Sequence, residues 1–534
     1  MRKILIICML LFFLSSCSFL QLQNGNNDNP KQNEQDKQEE TNNGNSEEPK
    51  EPSEPGEPAE PSEPEDPSEP TDPVEPTGPI DPKDPSEPNE PEPVEEEQDI
   101  AKAYYKDLFD LNNKIYIDID IDNGELQKIE NSIQSDVYRL ANKVTIKIVK
   151  PDETVIEASI NQVGIKMKGN TSRRNFFEAG NIYQNVHFKL SFTETFDDPN
   201  EYKTEEMVKW ASEEARDFRD DRTFFGLKKM ELKWNREGDK TYSRDIYASQ
   251  VYKQFGIYAQ DTTLGVLNFT NQTFQNTDDS LGLYKVYEAV DKTFVKRYFG
   301  KSNKDGDLFK ASYGSNVGMP SLNNVHKSGY GVDESIFHDQ KKVTYALKTN
   351  KNSSDFTSIR SFLGYVNGRS DLEEKINDYM NEDYFITFLA IQYITGDWDN
   401  FLYDSNNYYL YFDNNNICYF IPYDMDRTFG VQAKDHDMAN RTPLQMWNLQ
   451  GDGNLSNLLK KTIYKSGSTL APKYVEKIKE IASTILNEDN FRKVYDLIYQ
   501  NYGEEFGIVY TDGGSDSPNN AIPSYFEKKL NAIG

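Results

Sequence analysis

Cysteine and histidine are scarce, three and four respectively in 534 residues. Cys8 lies in an apolar leader, Cys17 closes it and Cys418 stands alone. A mature chain therefore has no pair for an internal disulfide and must fold on its core. So few histidines argue against a His-based zinc centre, and no Ser-His-Asp set sits at a nucleophile elbow. Common phosphate-binding signatures are missing too. There is no Gly-x-Gly-x-x-Gly, and Gly300-Lys-Ser302 has Val295 where a Walker loop requires glycine. Basic residues are outnumbered 59 to 89, a net charge of −30 that argues against a nucleic-acid partner.

That acidity is unevenly spread. Residues 1–99 hold 26 acidic and 6 basic side chains, about −20 of the total. From Pro49 to Pro91 proline falls at every third position, with Glu, Asp and Ser between. This is the period of a polyproline II helix, with prolines on one stripe and carboxylates on the others. Having almost nothing apolar to bury, the segment reads as a disordered spacer, and at ~3.1 Å per residue it reaches about 140 Å. Ahead of it, Arg2 and Lys3 precede the apolar run Ile4–Leu14, too short to span a membrane as a mature helix. Leu14-Ser-Ser-Cys17 fits a lipobox. The expected organisation is a signal peptide at 1–16, an acidic Pro-rich tether at 17–98 and a folded domain at 99–534. Lipidated Cys17 would then hold the chain on the extracellular face of the cell membrane.

The folded part reads as α+β, mainly β over about 99–330 and mainly helical over about 331–534. Strands are expected at Tyr116–Ile121, Val144–Val149, Val155–Ile160, Val163–Lys168, Val186–Phe192, Phe224–Trp234, Leu264–Thr270 and Leu283–Tyr287. Helices are expected at Thr241–Phe255, Leu372–Met380, Glu382–Thr395, Val475–Leu486, Phe491–Tyr502 and Tyr525–Ile533. Lys166, Lys168, Arg173 and Arg174 flank the short loop Gly169–Ser172, which either cradles phosphates or is a solvated turn. Lys189 lies within a strand, where burial would demand an acidic partner or a phosphate, although alternation equally allows it to point outward. Glu288 is the candidate partner, but it also suits the first turn of the helix that follows.

Chemistry concentrates between Asn381 and Gly430. The helix Glu382–Thr395, with Asn381 as N-cap and Gly396 as stop, leads into Asp397-Trp-Asp-Asn400 and a polar loop. The hairpin Tyr408–Phe412 and Ile417–Ile421 turns at 413–416 and runs into Pro422-Tyr-Asp-Met-Asp426. Because a hairpin returns on itself, Asp397 and Asp399 should lie near Asp424 and Asp426. Gathered carboxylates repel unless a cation neutralises them, and oxygen ligands favour Mg²⁺ or Mn²⁺ over zinc. The order helix, Asp then Asn, hairpin, Asp is also how protein kinases place their base and metal ligands. Here the spacing differs: position 404 is Asp, and the asparagines fall at 406 and 407. Asp435-His-Asp437 downstream could add a polar ligand.

The segments Gly396-Asp-Trp-Asp-Asn and Phe420-Ile-Pro-Tyr-Asp-Met-Asp-Arg-Thr-Phe-Gly430 resemble the signature of the spore coat protein H (CotH) kinase family. Ile165–Ser172, Phe188–Phe192, Ser243–Ser249 and Gly282–Lys292 agree in kind and order. The resemblance implies a secreted atypical protein kinase with a kinase-like two-lobed fold, ATP and a divalent metal. On it, Asp399 would be the general base for a Ser or Thr hydroxyl of a surface or coat protein, with Asp397 in reserve. Asp424 and Asn407 would hold Mg²⁺, Asp426 would support a second metal, and Lys168, Arg173, Lys189 and Glu288 would serve the nucleotide. Phe401 stands where the family often has histidine, Arg427 replaces a small residue, and the loop 400–407 is lengthened. Two rival functions use the same residues: a non-catalytic surface adhesion lipoprotein, and metal-dependent phosphodiester hydrolysis.

Overall fold

Isoleucine alternates with polar residues along Lys114–Ile121, and Ile115, Ile117, Ile119 and Ile121 are fully buried while their neighbours are half-exposed. A period of two puts one strand face inward. The same logic builds seven strands: β1 (Lys114–Ile121), β2 (Arg139–Val149), β3 (Val155–Lys168), β4 (His187–Ser191), β5 (Lys229–Trp234), β6 (Thr262–Phe269) and β7 (Ser280–Glu288). They close as a barrel in the order β6-β7-β5-β4-β3-β2-β1. Neighbours are antiparallel except at the closing seam, where Val266 of β6 pairs in parallel with Tyr116 of β1. The two strands expected at Val155–Ile160 and Val163–Lys168 are one, with Gln162 taking the irregularity at φ +59°.

The computed structural model describes residues 99–534, apart from 170–171, 176, 179–181, 184, 197–201, 203–212, 271–279, 324–328, 333–342, 432–435, 450, 452–453 and 511–520. The leader, the tether and Cys17 lie outside the described residues, as do Asn170 and Thr171 of the basic loop. All described residues belong to one unit, Asn89–Gly534.

A second sheet follows: β8 (Asp307–Ala311), β9 (Tyr330–Gly331), β10 (Tyr345–Leu347), β11 (Tyr408–Phe412) and β12 (Cys418–Pro422), ordered β9-β10-β8-β11-β12. The expected hairpin is β11/β12, with Tyr408 opposite Pro422. The helices used below are α1 (Arg244–Gln254), α2 (Lys292–Phe299), α3 (Thr357–Gly368), α4 (Glu382–Thr395), α5 (Phe401–Asp404), α6 (Leu470–Ile485), α7 (Glu488–Phe506) and α8 (Ile522–Ile533). Leu372–Met380 is not the expected helix. It keeps only a 3-10 turn at Ile376–Asp378, because its polar groups serve neighbours instead. Glu373 accepts from Leu470 N at 2.8 Å and caps α6, and Tyr379 O accepts from Cys418 N of the hairpin at 2.8 Å. Among the described residues no helix is long and apolar enough to cross a membrane.

Helix α4 is the axis of the helical part, with every residue from Phe385 to Thr395 buried. Asn381 Oδ1 accepts from Tyr384 N at 2.8 Å and fixes its start. Gly396 ends it at φ +62°, where a Cβ would run into the Tyr525 hydroxyl of α8. That stop releases the chain directly into Asp397. Gly396→Ala should lower stability by about 1–3 kcal/mol, the range for a non-glycine residue held in the left-handed region. Urea unfolding checks this, and an unchanged midpoint would show that the turn relaxes freely.

Candidate functional site

Along β5, Met230 and Leu232 enter the barrel core, so Glu231 and Lys233 point outward. Both are nonetheless buried, at 2% and 3% exposure, because the hairpin covers this face. Glu231 Oε1 pairs with Lys189 Nζ of β4 at 2.9 Å, and Oε2 pairs with Lys168 Nζ of β3 at 2.9 Å. The Tyr423 hydroxyl donates to Oε2 at 3.0 Å and accepts from Lys168 at 3.2 Å. Burial alone would push the Glu231 carboxyl up; Lys168 and Lys189 outweigh it and hold the group well below its ordinary value. Lys310 of β8 lies 4.2 Å from the centre of the Tyr423 ring, and its charge acts on Glu231 as well. Lys233 pairs with Asp424 and lies 4.8 Å from the Tyr287 ring centre. Burial opposes ionisation of Asp424 too, but Lys233 and Lys168 keep it strongly acidic.

On the hairpin side, the chain leaves Gly396 and turns immediately. Asp397 Oδ1 accepts from Asp399 N at 2.9 Å, Asn406 Nδ2 donates to Asp399 Oδ1 at 3.0 Å, and Asn407 Nδ2 donates to Asp399 O at 2.9 Å. The stretch expected to be a plain polar loop contains the short α5, capped by Asn400 Oδ1 accepting from Tyr403 N at 3.0 Å. Arg427 Nη1 lies 3.3 Å from Asp399 Oδ2, its Nη2 lies 3.6 Å from Glu237, and its guanidinium stacks 4.0 Å over Trp398. Burial, then the Asp399 charge, pushes the Asp397 carboxyl up to about 8. Asp426 is raised well above its usual value by burial and by Asp424. Four residues here occupy the left-handed backbone region without being glycine: Ser405, Asn407, Asp424 and Phe429, at φ +52° to +58°. Such conformations persist only where the surroundings over-determine them.

The four aspartates thus act electrostatically on one another as the hairpin argument requires. Lys168 and Lys189 meet them through Glu231 and Lys233. Two expected nucleotide residues are placed otherwise. Glu288 ends strand β7 rather than beginning α2, and it pairs with Arg297; the partner of Lys189 is Glu231. Arg173 is consumed by backbone carbonyls, donating to Gly169 O at 2.9 Å, Ile133 O at 2.8 Å and Ser135 O at 2.7 Å. It ties a loop down. Asp435 lies outside the described residues, and His436 packs against Trp398 with ring centroids 4.7 Å apart. Sequence reasoning missed Glu231, Lys233, Tyr423 and the pairing of Arg427. The available signal was Glu231 and Lys233 at alternate positions in a strand whose other positions include the apolar Met230, Leu232 and Trp234.

Among the described residues, no group of three or more His, Cys, Asp or Glu side chains is arranged to hold a metal ion. Mg²⁺ bound with a nucleotide needs fewer: one or two carboxylates, the remainder being phosphate and water. The donors fit that demand. Asp426 has no hydrogen-bond or ion-pair partner among the described residues; Asp424 and Glu237 repel it, while the charges of Lys233 and Arg427 act favourably on it from a distance. Among the described residues, Lys233 engages one oxygen of Asp424, and the side-chain amide of Asn407 uses its nitrogen.

A family model described as CotH kinase protein matches residues 200–507, more than half of the chain. The chain belongs to the CotH kinase family. Lys168 and Lys189 lie upstream of the matched residues, whereas Glu231, Lys233 and the whole Asp397–Arg427 stretch lie within them. Relatives from Rhizopus delemar match part of the chain. Spore coat protein homolog 1 is 25% identical over 228 residues, covering 42% of this chain and 33% of the relative. Invasin CotH3 is 29% identical over 221 residues, 39% of this chain and 32% of the relative. Invasin CotH2 is 22% identical over 324 residues, 53% of this chain and 49% of the relative. The chain therefore spans a third to a half of the length of these curated relatives.

The raised Asp397 carboxyl has a consequence for stability. An acid whose folded-state pKa exceeds its unfolded value of 3.8 binds a proton more tightly when folded. Its contribution to stability is therefore lost as pH rises from about 4 to about 8. Asp397→Asn should gain on wild type with rising pH, so the difference in melting temperature should be larger at pH 8 than at pH 5. An equal difference at both values would mean that Asp397 is ionised throughout.

Proposed function

We propose that this chain is an atypical protein kinase that transfers the ATP γ-phosphoryl group to a Ser or Thr hydroxyl of surface or coat proteins. The observation that carries the reading is the Lys233–Asp424 pair, which joins a lysine cluster around Glu231 to four mutually repelling aspartates. In phosphoryl transfer the protein chiefly positions groups and neutralises charge. Lys168, Lys189 and Lys233 would neutralise the phosphates, Glu231 fixing the first two. Asp424, Asp426 and Asn407 would hold Mg²⁺ or Mn²⁺, which would supply neutralisation of the phosphate charge when bound. Asp399 would orient and deprotonate the hydroxyl, with Asp397 in reserve. The barrel and the helical part correspond on this reading to the two lobes of a kinase. Diacylated Cys17 and the tether would hold the enzyme outside the cell, at a distance from an anionic membrane. No nucleic acid takes part.

A non-catalytic adhesion role has its own support. Both carboxylate oxygens of Asp399 are engaged, by Arg427 and Asn406, and two relatives are named invasins.

Incubation with radiolabelled γ-phosphate ATP and Mg²⁺ or Mn²⁺, with melting curves in parallel, separates the two. Asp399→Asn should reduce autophosphorylation by roughly 10²–10⁴, the usual cost of losing a general base, and retain stabilisation by Mg·ATP. Asp424→Asn should weaken that stabilisation itself. A wild-type chain with neither label transfer nor nucleotide stabilisation would leave the adhesion reading in its place.

A further inference from the structure

His187 opens β4. The next residue, Phe188, pairs with Met167 of β3 and Leu232 of β5, and all three enter the barrel core. Sides alternate along a strand, so His187 points outward beside Lys168, its registered partner on β3. The same register sets Lys233 of β5 one step past Leu232, on the other side of His187. Lys168, His187 and Lys233 thus form a row across three neighbouring strands, next to the row of Lys166, Lys189 and Glu231. The His187 side chain is covered, at 5% exposure, and its two nitrogens are used unequally. Nδ1 accepts from the backbone N–H of Trp234 at 3.1 Å. A ring nitrogen that accepts carries no proton, so the imidazole is neutral and its hydrogen is on Nε2. Burial, then the charges of Lys168 and Lys233, push the His187 pKa well below its ordinary value, in agreement with that state. Nε2, at the outer end of the ring, donates to nothing among the described residues.

We propose that His187 is a phosphate-binding residue, whose Nε2–H donates to an oxygen of a bound polyphosphate between the charges of Lys168 and Lys233. That the polyphosphate belongs to a nucleotide rests on the kinase reading; the anion site itself does not. Buried donors are nearly always paired, so Nε2–H calls for an acceptor. A lysine on each side, with the charge of Arg236 acting on the ring as well, calls for that acceptor to be anionic. The charge of Asp424 also acts on the ring, but this carboxylate is already paired with Lys233. Lysine and histidine contribute differently here. A lysine ammonium is a point charge on a flexible stem. An imidazole whose other nitrogen is fixed by a backbone amide aims its N–H one way. The lysines supply attraction, and His187 sets where one phosphate oxygen comes to rest.

Two carboxamide substitutions separate the two ring nitrogens. In His187→Asn the side-chain oxygen takes the place of Nδ1 and still accepts from Trp234, but nothing reaches as far as Nε2. In His187→Gln the amide nitrogen reaches the place of Nε2, and the Trp234 N–H loses its acceptor. Calorimetric titration of the full chain with Mg·ATP and with Mg·tripolyphosphate reads the result. His187→Asn should bind both roughly tenfold more weakly or worse, the usual cost of a hydrogen bond to a charged group. His187→Gln should recover most of that loss. A role confined to the Trp234 amide predicts the reverse order. That order, or an unchanged affinity in His187→Asn, would overturn the proposal and leave the kinase reading intact. Binding of tripolyphosphate but not ATP, with the same dependence on His187, would keep the anion site and remove the kinase reading. Binding of neither ligand by wild type would remove both. Should His187→Asn unfold, the wild-type chain labelled with nitrogen-15 histidine replaces it, since only four histidines need assignment. His326→Gln, His338→Gln and His436→Gln identify the His187 signal by elimination. Its Nε2–H resonance should move when Mg·tripolyphosphate is added, and a resonance that stays in place overturns the proposal.

Discussion

A charge withdrawn from water must meet an opposite charge, and Lys233 and Asp424 meet this requirement across the boundary between barrel and hairpin. Lys233 is on the outer face of β5, where solvent would ordinarily receive it, yet it is almost fully buried. Its partner follows β12 in a left-handed backbone conformation, at φ +58°. Removing one member of a buried pair leaves the other uncompensated, at a cost well above the net value of the pair. The pair therefore specifies where the hairpin sits against the barrel more than it adds to stability. Glu231 repeats the arrangement one step along the same strand, binding Lys168, Lys189 and Tyr423 together.

From that constraint the site follows. The seam residues are charged on both sides, lysine predominating on one around Glu231 and aspartate on the other beside Arg427. Lysines come from β3, β4, β5 and β8; aspartates come from the end of α4 and the end of β12. An arrangement of this kind suits a ligand that is itself anionic and carries a cation, since each part would meet its complement. Rigidity comes from beneath: α4 is buried on every side, and Tyr409, Tyr411, Ile421 and Tyr423 of the hairpin form an apolar cluster with Val290, Phe294 and Leu308. Side chains that must hold charges close together are thereby attached to elements that cannot easily move apart.

Local patterns were the legible part of the sequence. Helix α4, its Asn381 cap, its Gly396 stop and the hairpin were readable because each depends on residues within a few positions of one another. Convergence of the aspartates followed from hairpin geometry. Barrel closure was not readable, because the seam pairs β6 with β1, about 150 residues apart. Nor was the burial of Glu231 and Lys233, since period-two alternation marks a polar face without saying whether water or another sheet covers it. Glu288 illustrates the cost of a boundary error. With β7 extended by one residue it belongs to a strand end rather than a helix start, and its partner changes from Lys189 to Arg297. Arg173 had the right charge in the right region, but three backbone carbonyls claim it.

The central claim is that Lys233 and Asp424 act as a unit that sets the barrel against the aspartate-bearing hairpin. A double-mutant cycle with Lys233→Met, Asp424→Asn and the combined variant, followed by urea unfolding at neutral pH, measures this directly. The account predicts that the double variant is more stable than the sum of the single losses implies, by about 1 kcal/mol or more. Additivity within about 0.3–0.5 kcal/mol, the scatter found for independent sites, would contradict it.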